Sequence, residues 1–572
     1  MDKTWIIAKP DEKLVAKLSR RLGCHRITAA VLVNRQIDSV DKADGFLNPS
    51  MDDLRSLFTL KDLDPAVLRL AEAILKKERI LVFGDYDVDG ITSTTILVEF
   101  LSHFGADVHY HIPHRIDEGY GLKPEHISGI AAPIKADLII TVDCGSASGQ
   151  AVDCASQAGI DVIVTDHHDI DHIPAACAVV NPKRHDCSAG LNHLAGVGVA
   201  FALLLALRKH LRKKGFFNTA ISEPNLKEIC DLVALGTISD VVPLIGENRI
   251  ITKIGLDAIN NDPRPGIAAL VQACGINKPA VEAGDLAFRL GPRLNAAGRM
   301  DHAHLAVDLL TTSDDKKARR LADQINELNT KRQNVEAGIL RKIEVYLEQS
   351  PQILEQKALV LADGQWHLGV LGIVASRLAE KYCRPVILFT TSDGVLAGSA
   401  RSTPGIDLYR HLSACADYLE SFGGHAMAAG LSVRPDQMQS FCSAFNNHIS
   451  LCCQDFLFEP CLHIDCMLGF DMITENLADE LARLQPFGEK NPEPVFAAEN
   501  VEVVFSKIMA QKHLRLMLRQ PDSRKKQTLS AVWFNIDPRI NVPAQLKRVA
   551  FTIQWNYYNG KKDIQLVVKE IL

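Results

Sequence analysis

The chain has 572 residues, 47% hydrophobic and 23% charged, with a formal net charge of −6. At roughly 100–200 residues per domain this predicts about three to five domains with buried cores, and it excludes disorder as the main theme. The longest apolar run, residues 194–207, falls short of the roughly 18 residues that cross a membrane, and Asp2, Lys3, Lys9, Asp11 and Glu12 leave no apolar leader core, so a cytoplasmic protein without membrane attachment is expected.

Residues 1–50 carry no chemical motif. From residue 80 to 242 short apolar runs (80–84, 108–113, 138–142, 162–165 and 178–181) alternate with stretches of helical length such as 92–104 and 147–158. That alternation predicts βαβ units and a parallel sheet covered on both faces, with ligands outside the carboxyl ends of its strands. Ser313 followed by Asp314 and Asp315 reads as a helix start. Apolar positions at Leu321, Ile325, Leu328, Val335, Leu340, Ile343 and Leu347 then extend one helix over 313–350, long enough to bridge two domains, with Gly338 as its weak point. A second, smaller α/β pattern follows over 351–455, where Trp366 reads as a core aromatic.

Residues 456–572 have short alternating strands separated by Pro521-Asp522-Ser523 and Asn559-Gly560, as in a small β-barrel. Residues 501–572 hold 13 Lys/Arg against 5 Asp/Glu, so this stretch is strongly basic while the rest of the chain is acidic. Interleaved with Trp533, Phe534, Phe551, Trp555, Tyr557 and Tyr558, such cations suit single-stranded nucleic acid; a barrel with an aromatic core and a solvated basic face has the same composition. Fourteen cysteines are scattered without any Cys-x-x-Cys pair, which fits reduced core thiols better than disulfides or a zinc site.

The chemistry sits at strand ends. Asp85-Tyr86-Asp87-Val88-Asp89-Gly90 closes the first run. A calcium loop is excluded, because the twelfth position is Ile96 rather than Glu and the motif follows a strand. Asp143 ends the 138–142 run, Asp166-His167-His168 ends 162–165, and Asp240 follows Gly236-Thr237-Ile238-Ser239. One Asp after a strand is ordinarily a helix cap. Four such sites around one sheet, rich in carboxylates with a few imidazoles, instead suit Mn²⁺ or Mg²⁺, and two such ions together can drive phosphodiester cleavage.

Taken together, the four segments resemble the motifs of the DHH phosphoesterase superfamily. Gly291-Pro292-Arg293-Leu294-Asn295-Ala296-Ala297-Gly298-Arg299, Gly423-Gly424-His425-Ala426-Met427-Ala428-Ala429-Gly430 and Pro486-Phe487-Gly488-Glu489-Lys490-Asn491-Pro492-Glu493-Pro494-Val495-Phe496 are similar to signatures of its exonuclease branch. The resemblance runs from about residue 50 to the end. It implies a parallel-sheet DHH catalytic domain (51–312), the linking helix, a DHH-associated substrate domain and an oligonucleotide-binding (OB) barrel. It implies a 5′→3′ exonuclease that degrades single-stranded DNA to 5′-mononucleotides in recombination and repair. Such an enzyme would work as a monomer beside a single-strand-binding protein and a helicase.

By the same resemblance Asp87, Asp89, Asp143, His167 and Asp240 ligate two ions, Asp143 bridging them, while Asp85 orients the turn and His168 faces the scissile phosphate. Phe83 stands where many DHH enzymes have a histidine, which implies fewer protein ligands at one ion. Arg115, Ser399 and Arg401 would hold the terminal 5′-phosphate, Arg299 a phosphate near the metals, and His425 the strand between the two domains. The alternative within this chemistry is a phosphodiesterase for short oligonucleotides or cyclic dinucleotides, and the basic barrel argues against it. A non-catalytic relative acting as a replication scaffold should have lost the acids.

Overall fold

The computed structural model describes residues 3–392, 394–453, 460–522, 527–537, 540–558 and 561–572. The Asn559-Gly560 turn, Ser523 and the 455/456 domain boundary lie outside them, as does the side chain of Tyr558.

Five parallel strands form the first sheet, in the order Asp107–His111, Arg79–Gly84, Leu138–Val142, Asp161–Thr165 and Ala178–Val180. Alternation along each strand sends Ile80, Val82, Leu138 and Ile140 to one face and Leu81, Phe83, Ile139 and Val162 to the other. Helices Leu63–Lys76, Val88–Ser102, Gly196–Lys213 and Cys230–Ser239 cover the first face, and helix Gly149–Gln157 covers the second. The long apolar run is helix Gly196–Lys213, buried on nearly every side up to Leu207. Among the described residues no helix is long and apolar enough to cross a membrane.

The bridging helix is Asp315–Gln349, 35 residues and about 50 Å long. Its N-cap is Asp314 rather than Ser313: the Asp314 carboxylate accepts the amides of Lys316 at 2.7 Å and Lys317 at 3.2 Å, which a serine one position earlier would not reach. Leu321 and Ile325 pack into the first domain's core, and Ile339, Ile343 and Leu347 into the second's. Between them Arg332 and Glu336 pair at 3.0 Å while buried, and Arg377 of the second domain reaches Glu336 at 2.6 Å. Gly338 faces open space and leaves the helix unbroken.

The second domain is a mixed sheet, ordered Ser421–Gly424, Ala428–Val433, Val395–Arg401, Val386–Ser392 and Leu359–Ala362. The C-terminal region closes into a five-stranded barrel, from Phe496–Met509 through His513–Arg519, Thr528–Trp533, Lys561–Ile571 and Gln545–Tyr558 back to Phe496–Met509.

The N-terminal segment belongs with this barrel. Strand Thr4–Ile7 pairs in parallel with Cys461–Ile464, and Ile27, Val31, Leu32 and Leu47 share the barrel's hydrophobic core. Arg249 of the catalytic domain rivets the junction. Its buried guanidinium donates to Phe46 O at 2.9 Å, Leu484 O at 3.1 Å and Gln485 O at 2.9 Å, and lies 3.6 Å from the Phe46 ring centre.

Candidate active site

The sheet's carboxyl edge carries the acids. Asp87 caps helix Val88–Ser102, accepting the amides of Asp89 at 3.0 Å and Gly90 at 3.1 Å. Asp89 then reaches across to the start of helix Gly196–Lys213 and accepts the amides of Gly196 at 2.6 Å and Val197 at 2.8 Å. That helix end stabilises a carboxylate through its free N–H groups and its dipole. Asp143 leaves its strand with φ of 59°, a left-handed turn that costs about 1–2 kcal/mol outside glycine. The turn presses its carboxylate against the same helix: a Cβ on Gly196 would lie 2.5 Å from Asp143 Oδ1, so only glycine fits there. Asp240 ends helix Cys230–Ser239.

His167 Nδ1 donates to Leu194 O at 3.1 Å, which leaves the Nε2 lone pair facing the acids. Nε2 lies 3.2 Å from Asp143 Oδ1, 3.5 Å from Asp240 Oδ2 and 3.8 Å from Asp89 Oδ2. Ligand atoms fall into groups within 4.8 Å of one another: Asp89, His167 and Asp240; Asp85, Asp87 and Asp143; and Asp143, His167 and His168. Asp143 belongs to two of these groups. So does His167.

Asp85 sits among the donors instead of behind them, and its buried Oδ1 has no hydrogen-bond partner. Phe83 turns to the opposite face of the sheet, packing 4.9 Å from the His126 ring and 5.6 Å from His111.

Burial followed by mutual repulsion raises the carboxyl pKa values of Asp85, Asp143 and Asp240, and that of Asp89 to about 7. Burial, then the neighbouring His168, lowers His167 to about 3, so its ring stays neutral. Asp143 Oδ1 and His167 Nε2 are buried without hydrogen-bond partners. Buried acids that repel one another beside an unpaired imidazole nitrogen fit divalent cations, which would neutralise the charge and satisfy the orphaned atoms.

His168 has a different environment. Burial opposes its charge, yet the 2.8 Å bond to Asp166 and further nearby carboxylates raise it to about 9. Asp166 also accepts the amides of Ser146 at 2.9 Å, His167 at 2.7 Å and His168 at 3.1 Å, so it pins the whole turn. The hydroxyl of Tyr120 lies 3.0 Å from His168 Nδ1 and 3.2 Å from Asp143 O.

The second domain meets this edge. The His425 ring stacks on His168, with centroids 5.8 Å apart, and its Nδ1 lies 3.4 Å from Asp169. Arg299 donates to Gly369 O at 2.9 Å, and Arg401 donates to Ser399 Oγ at 3.1 Å. Arg115 covers the Tyr86 ring at 4.6 Å. Burial, then mutual repulsion among Arg115, Arg299 and Arg401, lowers Arg299 to about 9 and Arg401 to about 10. Three close guanidiniums form a ready site for anions. Helix Leu368–Tyr382 runs beside them: a Cβ on Gly372 would come 2.6 Å from Arg401 Nη2 and 3.0 Å from Ser399 Oγ.

The sequence motifs assign no role to Asp166, Tyr120 or Tyr86, and Trp366-His367 could be read as substrate-facing or, for the aromatic, as core. His367 caps the helix beside the cup, accepting Gly369 N at 3.1 Å, while Trp366 is buried in the core as expected. Asp166 was detectable as the first residue of its motif, but Tyr120 lies in a loop without any local signal. The barrel divides its aromatics. Phe551 is fully buried, Trp555 lies under Lys562 at 3.8 Å, and Phe534 and Tyr557 are about half exposed.

Comparison with known proteins agrees with this geometry. The DHH family N-terminal domain matches residues 79–237, the DHHA1 domain residues 355–451 and the RecJ OB domain residues 464–570. The chain is 39% identical over 525 residues to the single-stranded-DNA-specific exonuclease RecJ of Dickeya dadantii, covering 90% of each chain. It is 35% identical to the Bacillus subtilis RecJ, covering 99% of this chain and 70% of that one. The crystal structure of Thermus thermophilus RecJ in complex with Mn²⁺ superposes with a TM-score of 0.82 at 31% identity, over 100% of this chain and 79% of that one. The chain belongs to the RecJ family of the DHH superfamily.

Proposed function

We propose that the protein is an exonuclease that degrades single-stranded DNA from its 5′ end to 5′-mononucleotides, using two Mn²⁺ or Mg²⁺ ions, in DNA recombination and repair. The observation that carries this reading is two unlike sets brought together: buried carboxylates with an orphaned imidazole, and three arginines near enough to act on them. Relatives crystallised with Mn²⁺ and with Mg²⁺ support divalent metal use.

Asp89, His167 and Asp240 would hold one ion, Asp85 and Asp87 the other, and Asp143 both. Bound there, the ions would lower the pKa of water and offset charge on the leaving oxygen. The chain's own residues do the rest. Asp166 keeps His168 protonated at neutral pH, so that His168 can donate to a phosphate oxygen, and Tyr120 backs the ring. Arg115, Ser399 and Arg401 grip the terminal phosphate, which carries more charge than an internal diester. Arg299 would contact the next phosphate, with His425 closing the cleft over His168.

Polarity is tested with a single-stranded oligomer labelled at either end, run beside its duplex with and without Mn²⁺. Mononucleotides should leave the 5′ end of the single strand only when metal is present. Digestion from the 3′ end, or equal attack on blunt duplex, would overturn the assignment. Preference for cyclic dinucleotides over the oligomer would favour the short-substrate alternative.

A further inference from the structure

Far from the strand-end acids in sequence, the second domain gathers a softer set of donors. His411 lies in helix Leu408–Ser413, while His448 and Cys452 sit one turn apart near the end of helix Met438–Cys452, which Cys453 follows. Ligand atoms of His411, His448 and Cys452 lie within 4.8 Å of one another. Cys452 Sγ is 3.7 Å from His448 Nε2, and Cys453 Sγ is 3.8 Å from His411 Nε2. The two imidazole rings meet edge to face, with centroids 5.1 Å apart.

The spacing decides between metal chemistries. In a tetrahedral zinc site, bonds of about 2.3 Å to sulfur and about 2.0–2.1 Å to nitrogen place S and N about 3.5–3.6 Å apart. Both thiol–imidazole separations are within about 0.3 Å of that value; His411, His448 and Cys452 are already grouped, and Cys453 has to turn its thiol from His411 toward them. His411 Nδ1 is buried without a hydrogen-bond partner, so no hydrogen bond holds the ring and it is free to turn either nitrogen to an ion. No carboxylate belongs to the group, and its thiol and two imidazoles, with the Cys453 thiol beside His411, select zinc over the hard ions suited to the buried acids.

We propose that His411, His448, Cys452 and Cys453 bind one Zn²⁺ that clips helix Leu408–Ser413 to the end of helix Met438–Cys452. The absence of Cys-x-x-Cys spacing concealed the set, because its four ligands come from two helices and a vicinal cysteine pair. Burial, and then Cys452, raises the Cys453 thiol pKa, so binding should release protons.

The test uses the full chain, kept reduced, stripped of metal and titrated with Co²⁺ in saturating Mg²⁺. One equivalent should produce a thiolate-to-cobalt charge-transfer band with tetrahedral ligand-field bands, and one equivalent of Zn²⁺ should bleach both. The bands should survive in Asp143→Asn, weaken in His448→Ala and vanish in Cys452→Ser/Cys453→Ser, while Zn²⁺ raises the melting temperature of the wild type and of Asp143→Asn but not of the double serine variant. Cys452 is exposed, so the serine variants should fold; a native circular dichroism spectrum checks this. Absence of a sulfur charge-transfer band, its persistence in the double variant, or its loss in Asp143→Asn would overturn the proposal.

Discussion

In the catalytic domain's acid cluster charge is buried without a counter-charge, whereas in the barrel charge stays at the surface and it is rings that are buried. Asp85, Asp89, Asp143 and His167 are all nearly inaccessible, and three of them carry atoms without hydrogen-bond partners. Across the barrel Arg519 pairs with Glu502 at 2.7 Å and Arg548 with Glu499 at 2.8 Å, all partly exposed, while Phe551 fills the interior. A centre that concentrates cations needs desolvated oxygens that repel one another until an ion arrives. A platform for a flexible polymer needs exposed rings and solvated cations that can follow its backbone. The two regions answer opposite demands on solvent.

Asp143→Asn should break the first half of that contrast. Cleavage should fall by at least about 10³-fold, equivalent to about 4 kcal/mol of barrier, because Asp143 belongs to two of the three groups of donors. The metal-free variant should nevertheless melt higher than the metal-free wild type, since one repelling charge has gone. Activity assays paired with calorimetry check both, and a variant that loses activity and stability together would mean the acids are held by something other than ions.

The barrel offers two substitutions of similar chemistry and opposite consequence. Phe551→Ala should cost about 3–5 kcal/mol of stability by opening a core cavity. Tyr557→Ala should leave melting unchanged and weaken single-strand binding by about 1–3 kcal/mol, the usual worth of one stacked base. Fluorescence anisotropy with a labelled oligomer, alongside thermal melts, separates them. If Tyr557→Ala leaves affinity unchanged, the exposed rings are not a stacking platform.

These examples also show what could be read from residues alone. Asp87, Asp89, Asp143 and His167 were legible because strand alternation locates the ends of strands, and ligands collect there; Asp240 reads as another strand end, but the apolar run before it is helix Cys230–Ser239. Asp85 is expected to orient the turn, and its carboxylate lies among those of Asp87 and Asp143, a placement that spacing does not encode. The aromatics of 501–572 were legible only as a composition. Phe551 and Tyr557 lie on the same strand an even number of positions apart in a regularly paired stretch, yet Phe551 sits in the barrel's core and Tyr557, opposite Lys562 near the strand's end, is half exposed. The N-terminal segment was silent for a different reason: Ile27, Val31 and Leu47 bury against partners more than 400 residues away. Arg249 was hidden likewise, its acceptors being main-chain carbonyls that leave no mark in sequence.

The smallest effect concerns pH, and it should arise in the catalytic domain alone. Asp89 has a folded pKa of about 7 against an ordinary value near 4, so between those limits the folded protein holds more protons than the unfolded one. Stability of the metal-free protein should therefore fall as pH rises from about 4 to about 7. His168 adds a second, higher window. Its folded pKa of about 9 exceeds the ordinary value near 6.5, so its stabilisation is complete below about pH 6.5 and is lost as pH climbs through about 9. The shift sets an upper limit of about 3 kcal/mol, and partial exposure of the ring reduces the expected effect to about 1–2 kcal/mol. Asp166→Asn removes the 2.8 Å partner of His168 and should flatten the upper window while leaving the lower one in place. Saturating Mn²⁺ should do the reverse, because a bound cation replaces the protons that the carboxylates otherwise share. Urea unfolding of the metal-free protein across about pH 5–9, followed by a probe in the catalytic domain, measures both windows. Stability that rises with pH throughout would show that the strand-end acids are paired in the metal-free state, and the contrast with the barrel would collapse.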